Sequence, residues 1–439
     1  MNNSFSATRA VVLLTVIAVA VRAGMLLVYQ PVVQGDTGTY HTLAAQLLNL
    51  DFRDYKGLRT PGYPVLLLLV GENHYAMWLV QSVMGVLISL MLFWICLVHT
   101  GNAVWSLPAG LFHTLALNQL VFEANILSET FATLLVVLSI VCLVRAIKGG
   151  PQPLHGVAAG FVSSMTALTR TVYIYVGPLF VILVLLFERD ARRLAAGLAV
   201  AFLLPVLGWV AFNKVTINYF GFSTMAGYNL TNHSGRFMEK AGDEYATIRD
   251  IYLKYRTLQV AETGSHSFTV FYARRELLEK TGLDEVALSR QLTRLSLELF
   301  AKYPLLYLRS VAESWASFWA APNYMKPDML TVPGAARVVE ATWLWERRLV
   351  LMMNFLAILA SGWVLVSATV RRLKGTMGLP IPLIVTSVII AASVLQALVE
   401  FGENPRYGIP TQSLAALLVL LVAWDLRATI KSRFVAAKA

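Results

Sequence analysis

Hydrophobic residues along this chain come in long runs rather than in strict alternation. A helix that crosses a bilayer needs roughly 20 mostly apolar residues. Runs of that kind occupy Ala10–Tyr29, Tyr75–Val98, Ala103–Val121, Asn125–Arg145, Leu194–Phe212, Leu349–Val370, Leu379–Val399 and Ile409–Leu426. Two shorter runs, Leu154–Thr169 and Val172–Phe187, predict a short helical hairpin. The first run continues past Ala18-Val19-Ala20, a faint likeness of a cleavage site, and many spans follow, so it reads as an uncleaved first span. The pattern predicts an all-α polytopic membrane protein with about ten transmembrane helices.

Between Asn213 and Arg348 the pattern changes. Leu288, Leu292, Leu295 and Leu299 recur at helical spacing, with Arg290, Arg294 and Glu298 off that face and Asp284 placed as an N-cap. Leu305–Ala321 looks apolar but carries Arg309, Glu313 and several aromatics, so it reads as an interfacial helix lying along the membrane. Three parts are expected: residues 1–212, a membrane module of seven spans whose first external loop is 30–74; 213–346, an external and mostly helical segment; and 347–439, three spans with a basic tail. No internal repeat is evident.

Composition sharpens the class. Of 439 residues, 57% are hydrophobic and 14% charged, and mean hydropathy is +0.62. An ordinary soluble domain is roughly 25% charged, so a disordered chain and a single soluble enzyme domain are both excluded. The net charge of +11 would suit a nucleic-acid binder, but its distribution points elsewhere. With the N-terminus inside, Arg9, Arg145, Lys148, Arg189, Arg192, Arg193, Arg371, Arg372, Lys374, Arg427, Lys431, Arg433 and Lys438 face the cytoplasm, against only Glu188, Asp190 and Asp425. That is the positive-inside pattern. It places both termini in the cytoplasm and removes the case for nucleic acid. Cys96 and Cys142 lie in apolar runs as packing residues. His41, His74, His233 and His266 have no metal-ligand spacing. No obligatory cofactor or metal is expected; a divalent ion is left open.

Charges inside a membrane protein usually mark function, and here they collect at the external ends of different spans. The first loop holds Gly35-Asp36-Thr37-Gly38-Thr39-Tyr40-His41 and Arg59-Thr60-Pro61-Gly62-Tyr63-Pro64; the second holds Glu123, Asn125 and Ser128-Glu129; the third holds Arg170; the last holds Glu400, Glu403, Asn404, Pro405, Arg406 and Tyr407. Guanidinium forks match phosphate geometry, and a carboxylate accepts a proton from an attacking hydroxyl. Such a set suits acid/base chemistry on a phosphate-bearing lipid.

These residues resemble the GT-C superfamily of integral membrane glycosyltransferases, and in particular the protein O-mannosyltransferase and lipid A aminoarabinose transferase branch, which uses polyprenyl-phosphate sugars. Asp36-x-x-x-Tyr40 matches the first-loop acid, Arg59-x-Pro61-Gly62-Tyr63-Pro64 the basic and proline motif for the lipid phosphate, Leu127-Ser128-Glu129-Thr130 the acidic start of the fourth span, and Arg406-Tyr407-x-x-Pro410 the signature opening a late span. The likeness covers residues 1–212 and 346–426. It departs from the family at Thr37, where members often carry a second acid. It implies Asp36 as the catalytic base; Glu129, within the motif, and Glu123 compete for a second carboxylate role, and either also suits neutralising a nearby arginine. With the polar cluster, Arg59, Arg406 and Arg170 are the candidates for the donor phosphate, and Tyr40, His41, Tyr63, Asn125, Glu403 and Tyr407 for substrate binding. The implied partners are a polyprenyl-phosphate-linked sugar donor, undecaprenyl-linked in a bacterial inner membrane, and a glycan, lipid or protein acceptor.

Simpler roles compete at each position. Asp36 also suits a helix N-cap, Arg59 an interfacial anchor, and Arg170 a snorkelling side chain. Arg22, inside the first span, suits a pairing with an acid. Phe220–His233, with Gly221, Gly227 and Asn229, is expected to be mobile and to close over the donor. A transporter or flippase of lipid-linked sugars is the alternative reading, but such proteins usually carry polar groups near mid-membrane.

Overall fold

The structure, a computed structural model, describes residues 6–149, 153–189, 191–376 and 378–436. Among them the chain is helical, with no strand beyond two isolated bridges, Tyr29 with Leu330 and Val32 with Asn125. The helices in order are α1 Ala7–Val28, α2 Thr37–Asn49, α3 Gly62–Leu68, α4 His74–Thr100, α5 Ala103–Leu115, α6 Leu117–Ala124, α7 Glu129–Lys148, α8 Pro153–Thr169, α9 Val176–Phe187, α10 Arg192–Ile217, α11 Met225–Ser234, α12 Ala246–Thr263, α13 Thr269–Thr281, α14 Glu285–Lys302, α15 Pro304–Phe318, α16 Ala335–Leu373, α17 Ile381–Val399 and α18 Asn404–Ala436. Short 3-10 turns intervene, including Thr171–Tyr175.

Seven of these helices, α1, α4, α7, α10, α16, α17 and α18, are long and apolar enough to span a bilayer. Of the other three expected runs, α8 and α9 are shorter helices of 17 and 12 residues. Ala103–Val121 is not one helix. It breaks at Ala116, whose ψ of 114° is extended, and the freed N–H of Leu117 donates to the Glu346 carboxylate at 2.7 and 2.9 Å. The helix expected at Leu349 starts at Ala335 instead and runs 39 residues. Glu340, Glu346, Arg347 and Arg348 interrupt the apolar pattern there but not the helix.

The main core joins α4, α7, α9, α10, α17 and α18 through residues such as Ile88, Val136, Phe180, Leu198, Ile384 and Leu417. A second core lies under α11–α14. Its Leu288, Leu292, Leu295 and Leu299 are the residues marked by helical spacing, and Asp284 caps α14 by accepting from Ala287 N at 2.7 Å. Helix α15 buries Ser310, Ser314 and Phe318 on one face. Much of Phe220–His233, read as mobile, is helix α11. A Cβ on its Gly227 would lie 2.1 Å from the Ser289 carbonyl, so that helix sits directly on α14.

Candidate functional site

The first loop is pinned before it presents Asp36. Val32 N donates to Ala124 O and Ile126 N to Val32 O, each at 2.9 Å, so the loop runs along the α6–α7 link. Thr37 Oγ1 donates to Ile126 O at 2.9 Å, and Gln34 Nε2 to Asn125 Oδ1 at 2.6 Å. Thr37 is therefore a buried tether. Asp36 occupies the N-cap position of α2, but its side chain makes no capping bond. The carboxylate points instead at two arginines: Arg59 Nη2 donates to Oδ1 at 2.5 Å and Arg406 Nη2 to Oδ2 at 3.1 Å.

Arg59 is held from several sides. Its Nε donates to Thr39 Oγ1 at 2.7 Å, and its guanidinium lies over the Tyr40 ring at 4.7 Å. Its loop is latched by Thr224, whose N donates to Gly57 O and whose Oγ1 donates to Lys56 O. Gly57 adopts φ +70°, and a Cβ there would strike Ile217 Cδ1 at 2.6 Å, so the turn needs glycine twice over. Gly62 presses α3 against the end of α8, since a Cβ would lie 2.3 Å from Thr169 Oγ1. That contact brings the Arg59 loop beside Arg170.

Arg170 Nη1 meets Glu129 Oε1 at 2.6 Å, and its guanidinium lies 5.0 Å from the Tyr407 ring centroid. Glu129, fully buried at the start of α7, also accepts from Arg406 Nε. Arg406 Nη1 reaches Glu403 Oε2 at 2.8 Å. Arg406 thus joins two ion pairs, Asp36–Arg59 and Glu129–Arg170, that come from the N-terminal half of the chain. Burial works to raise the Asp36 carboxyl, but Arg59 and Arg406 outweigh it and hold it at about 2.

This cluster lines a cavity of about 680 Å³. The first loop, the α8–α9 turn and the α17–α18 link form one side, including Thr39, Tyr40, Glu403 and Tyr407. Apolar Val172, Ile174, Leu395 and Val399 form another. A further wall comes from α11 and from the start of α13, with Tyr228, Asn229, Phe268, Phe271, Tyr272 and Arg274. Tyr228 and Phe271 stack at 5.5 Å, and Phe268 sits in the left-handed region at φ +66°. Glu400 also lines the cavity. It accepts from Asn232 Nδ2 at 2.6 Å, and burial pushes its carboxyl up to about 8. Among the described residues there is no group of three or more His, Cys, Asp and Glu side chains placed to hold a metal ion.

The expected residues therefore divide. Asp36, Arg59, Glu129, Arg170, Glu403, Arg406, Tyr40 and Tyr407 come together at one end of the helix bundle. Of these Glu129 lies behind the cavity wall, and the four other expected residues stand apart from the cluster. Glu123 is paired with Arg22 at 2.6 Å, both fully buried. Tyr63 is buried edge-on against Tyr40 and donates to Gln81 Oε1 at 3.1 Å. Asn125 anchors Gln34, and His41 pairs with the His74 ring at 5.9 Å. Their role toward the cavity is support. Of the further wall of the cavity, Ser223, Met225, Tyr228 and Asn229 fall in Phe220–His233, the segment expected to close over the donor; Phe268, Phe271, Tyr272 and Arg274 carry no such signal in the sequence.

No protein-family model matches the sequence, and no curated protein does. Among solved structures, the chain is similar to the archaeal oligosaccharyltransferase AglB from Archaeoglobus fulgidus, determined with an inhibitory peptide and a dolichol-phosphate. The TM-score is 0.51 at 12% sequence identity, over 98% of this chain and 52% of that one. The chain thus spans about half the length of that neighbour. This likeness is one of fold: an all-α polytopic membrane architecture.

Proposed function

We propose that the protein is an integral membrane glycosyltransferase that transfers a sugar from a polyprenyl-phosphate donor to an acceptor hydroxyl, with inversion, at the external face of a plasma membrane. The observation that carries this reading is the placement of Asp36 between Arg59 and Arg406 on the wall of an open cavity. The fold's likeness to an oligosaccharyltransferase solved with a dolichol-phosphate supports it. Residues 1–212 and 347–439 supply the membrane modules and the donor side; 213–346 supplies the wall that faces the acceptor.

In this reading Arg59, Arg406 and Arg170 hold the donor phosphate. Asp36 takes the proton of the acceptor hydroxyl as its oxygen bonds to the anomeric carbon. The bond from that carbon to the phosphate oxygen breaks, and its electron pair leaves with the lipid phosphate. The guanidiniums stabilise the charge that develops there, which a preorganised and partly dry site does far better than water. The apolar residues Val172, Ile174, Leu395 and Val399 accommodate the lipid beside its headgroup.

The test is transfer from a labelled polyprenyl-phosphate sugar in proteoliposomes, scoring release of the lipid phosphate. Asp36→Asn is expected to lower transfer by about 10²–10⁴-fold, the usual range for a general base. Full transfer by that variant removes Asp36 as the base, and transport of intact glycolipid without sugar release removes the enzyme reading.

A further inference from the structure

We propose that Asp36 and Glu403 are internal occupants of the lipid-phosphate site: in the free protein their carboxylates fill the guanidinium positions that the donor's phosphate takes on binding. The inference rests on the cavity being a donor-phosphate site and adds how that site is kept before the donor arrives.

Each nitrogen of Arg406 already meets a carboxylate. Nε meets Glu129, Nη1 meets Glu403 at 2.8 Å and Nη2 meets Asp36 at 3.1 Å. Arg59 spends Nη2 on Asp36 and Nε on Thr39. Three arginines, Arg59, Arg170 and Arg406, face three carboxylates, Asp36, Glu129 and Glu403, so the cluster has no surplus charge to draw in an anion. A phosphate that takes Arg406, or the edge of Arg59 that faces Asp36, must replace a carboxylate there.

The three carboxylates are not equally replaceable. The Glu129 side chain is 0% exposed and shared by Arg170 and Arg406. Releasing it would strand a charge out of reach of water, which is costly. The side chains of Glu403 and Asp36 are 46% and 33% exposed, so each can turn to solvent when displaced. Glu129 therefore stays and fixes Arg406 and Arg170, while Glu403 and Asp36 yield. Displacement has a second effect. Once Arg59 and Arg406 hold the phosphate, Asp36 loses the cations that suppress its basicity, and it becomes a competent base only when a donor is in place.

The experiment measures binding of farnesyl phosphate, a short prenyl monophosphate, to the detergent-solubilised full chain. Removing an internal competitor should tighten binding. Glu403→Gln is expected to gain about two- to fivefold, as for an exposed ion pair, and Asp36→Asn, which frees two arginines, about tenfold. Arg59→Ala is expected to weaken binding about tenfold or more. Unchanged or weaker binding in Asp36→Asn, with Arg59→Ala still weakened, overturns the internal-occupant proposal and leaves the site reading standing. Unchanged binding in Arg59→Ala overturns the reading of the cavity itself. Thr39→Ala, which removes only the neutral partner of Arg59, separates the two: a gain in affinity there like that of Asp36→Asn would assign the effect to loosened packing and also overturn the proposal.

Discussion

Two buried ion clusters share this molecule and differ in almost every other respect. Arg22 and Glu123 form an isolated pair at 2.6 Å, with 4% and 2% of their side chains exposed, and Arg22 Nη1 is further tied to the Ala18 carbonyl at 3.2 Å. The space is so tight that a Cβ on Gly85 would lie 2.0 Å from Glu123 Oε1 and 2.3 Å from Arg22 Nη2. The cluster around Arg406 instead shares its carboxylates among three arginines and opens onto a cavity. Burial of charge is common to both. Shared partners and solvent access belong to one, and those are the properties that let a ligand compete for a charge.

The comparison breaks most visibly when half of the sealed pair is removed. Arg22→Met alone is expected to cost about 3–5 kcal/mol of stability, because it strands Glu123, while the double replacement Arg22→Met with Glu123→Leu is expected to be near neutral. Thermal unfolding in detergent would measure both, and a double variant as unstable as the single one would show that the pair is more than a charge balance. Next in size is Arg406→Ala. It should lower transfer by about 10²–10³-fold, the loss expected when a preorganised donor is removed from a charged transition state, whereas the Arg22 and Glu123 double variant should retain its transfer rate per folded molecule. Comparable losses in both would erase the distinction. Gly85→Ala should destabilise the protein by about 1–3 kcal/mol through overpacking, with no change in donor use.

The smallest effect is one of pH. Asp36 is held below its ordinary value of 3.8, at about 2. A depressed carboxyl contributes stability that is fully present above the unfolded value and is lost as pH falls through the folded one. The stability difference between the protein and its Asp36→Asn variant should therefore be constant above about pH 4 and shrink as pH drops toward 2. A difference that fades near pH 6 would place the carboxyl outside the arginine clamp.

How much of this was legible follows the range of the interactions. Asp36, Arg59, Glu129, Arg170 and Arg406 stand at span ends, and alternation of the spans already placed those ends on one face, so hydrophobic pattern carried the convergence. Which acid Arg22 pairs with was not legible, since its partner Glu123 lies 101 positions away. The same limit hid the part of the cavity wall at the start of α13. Its Phe268 is held at φ +66° and packs on Gly402, where a Cβ would meet the ring at 3.2 Å, a tertiary constraint with no local signature. The break at Ala116 was invisible for a similar reason, since the group that takes up the freed Leu117 N–H is Glu346, far along the chain. Helix α16 was underestimated because its charged first turns satisfy helix geometry while failing a hydropathy window.

The bond between Arg406 and Asp36 joins positions 370 apart. While the ribosome is still working toward α18, Asp36 has Arg59 and Glu129 has Arg170, so each half of the cluster waits as a neutral couple within the membrane. Only α18 links them, so the two couples become one cluster once that helix has been threaded beside α7.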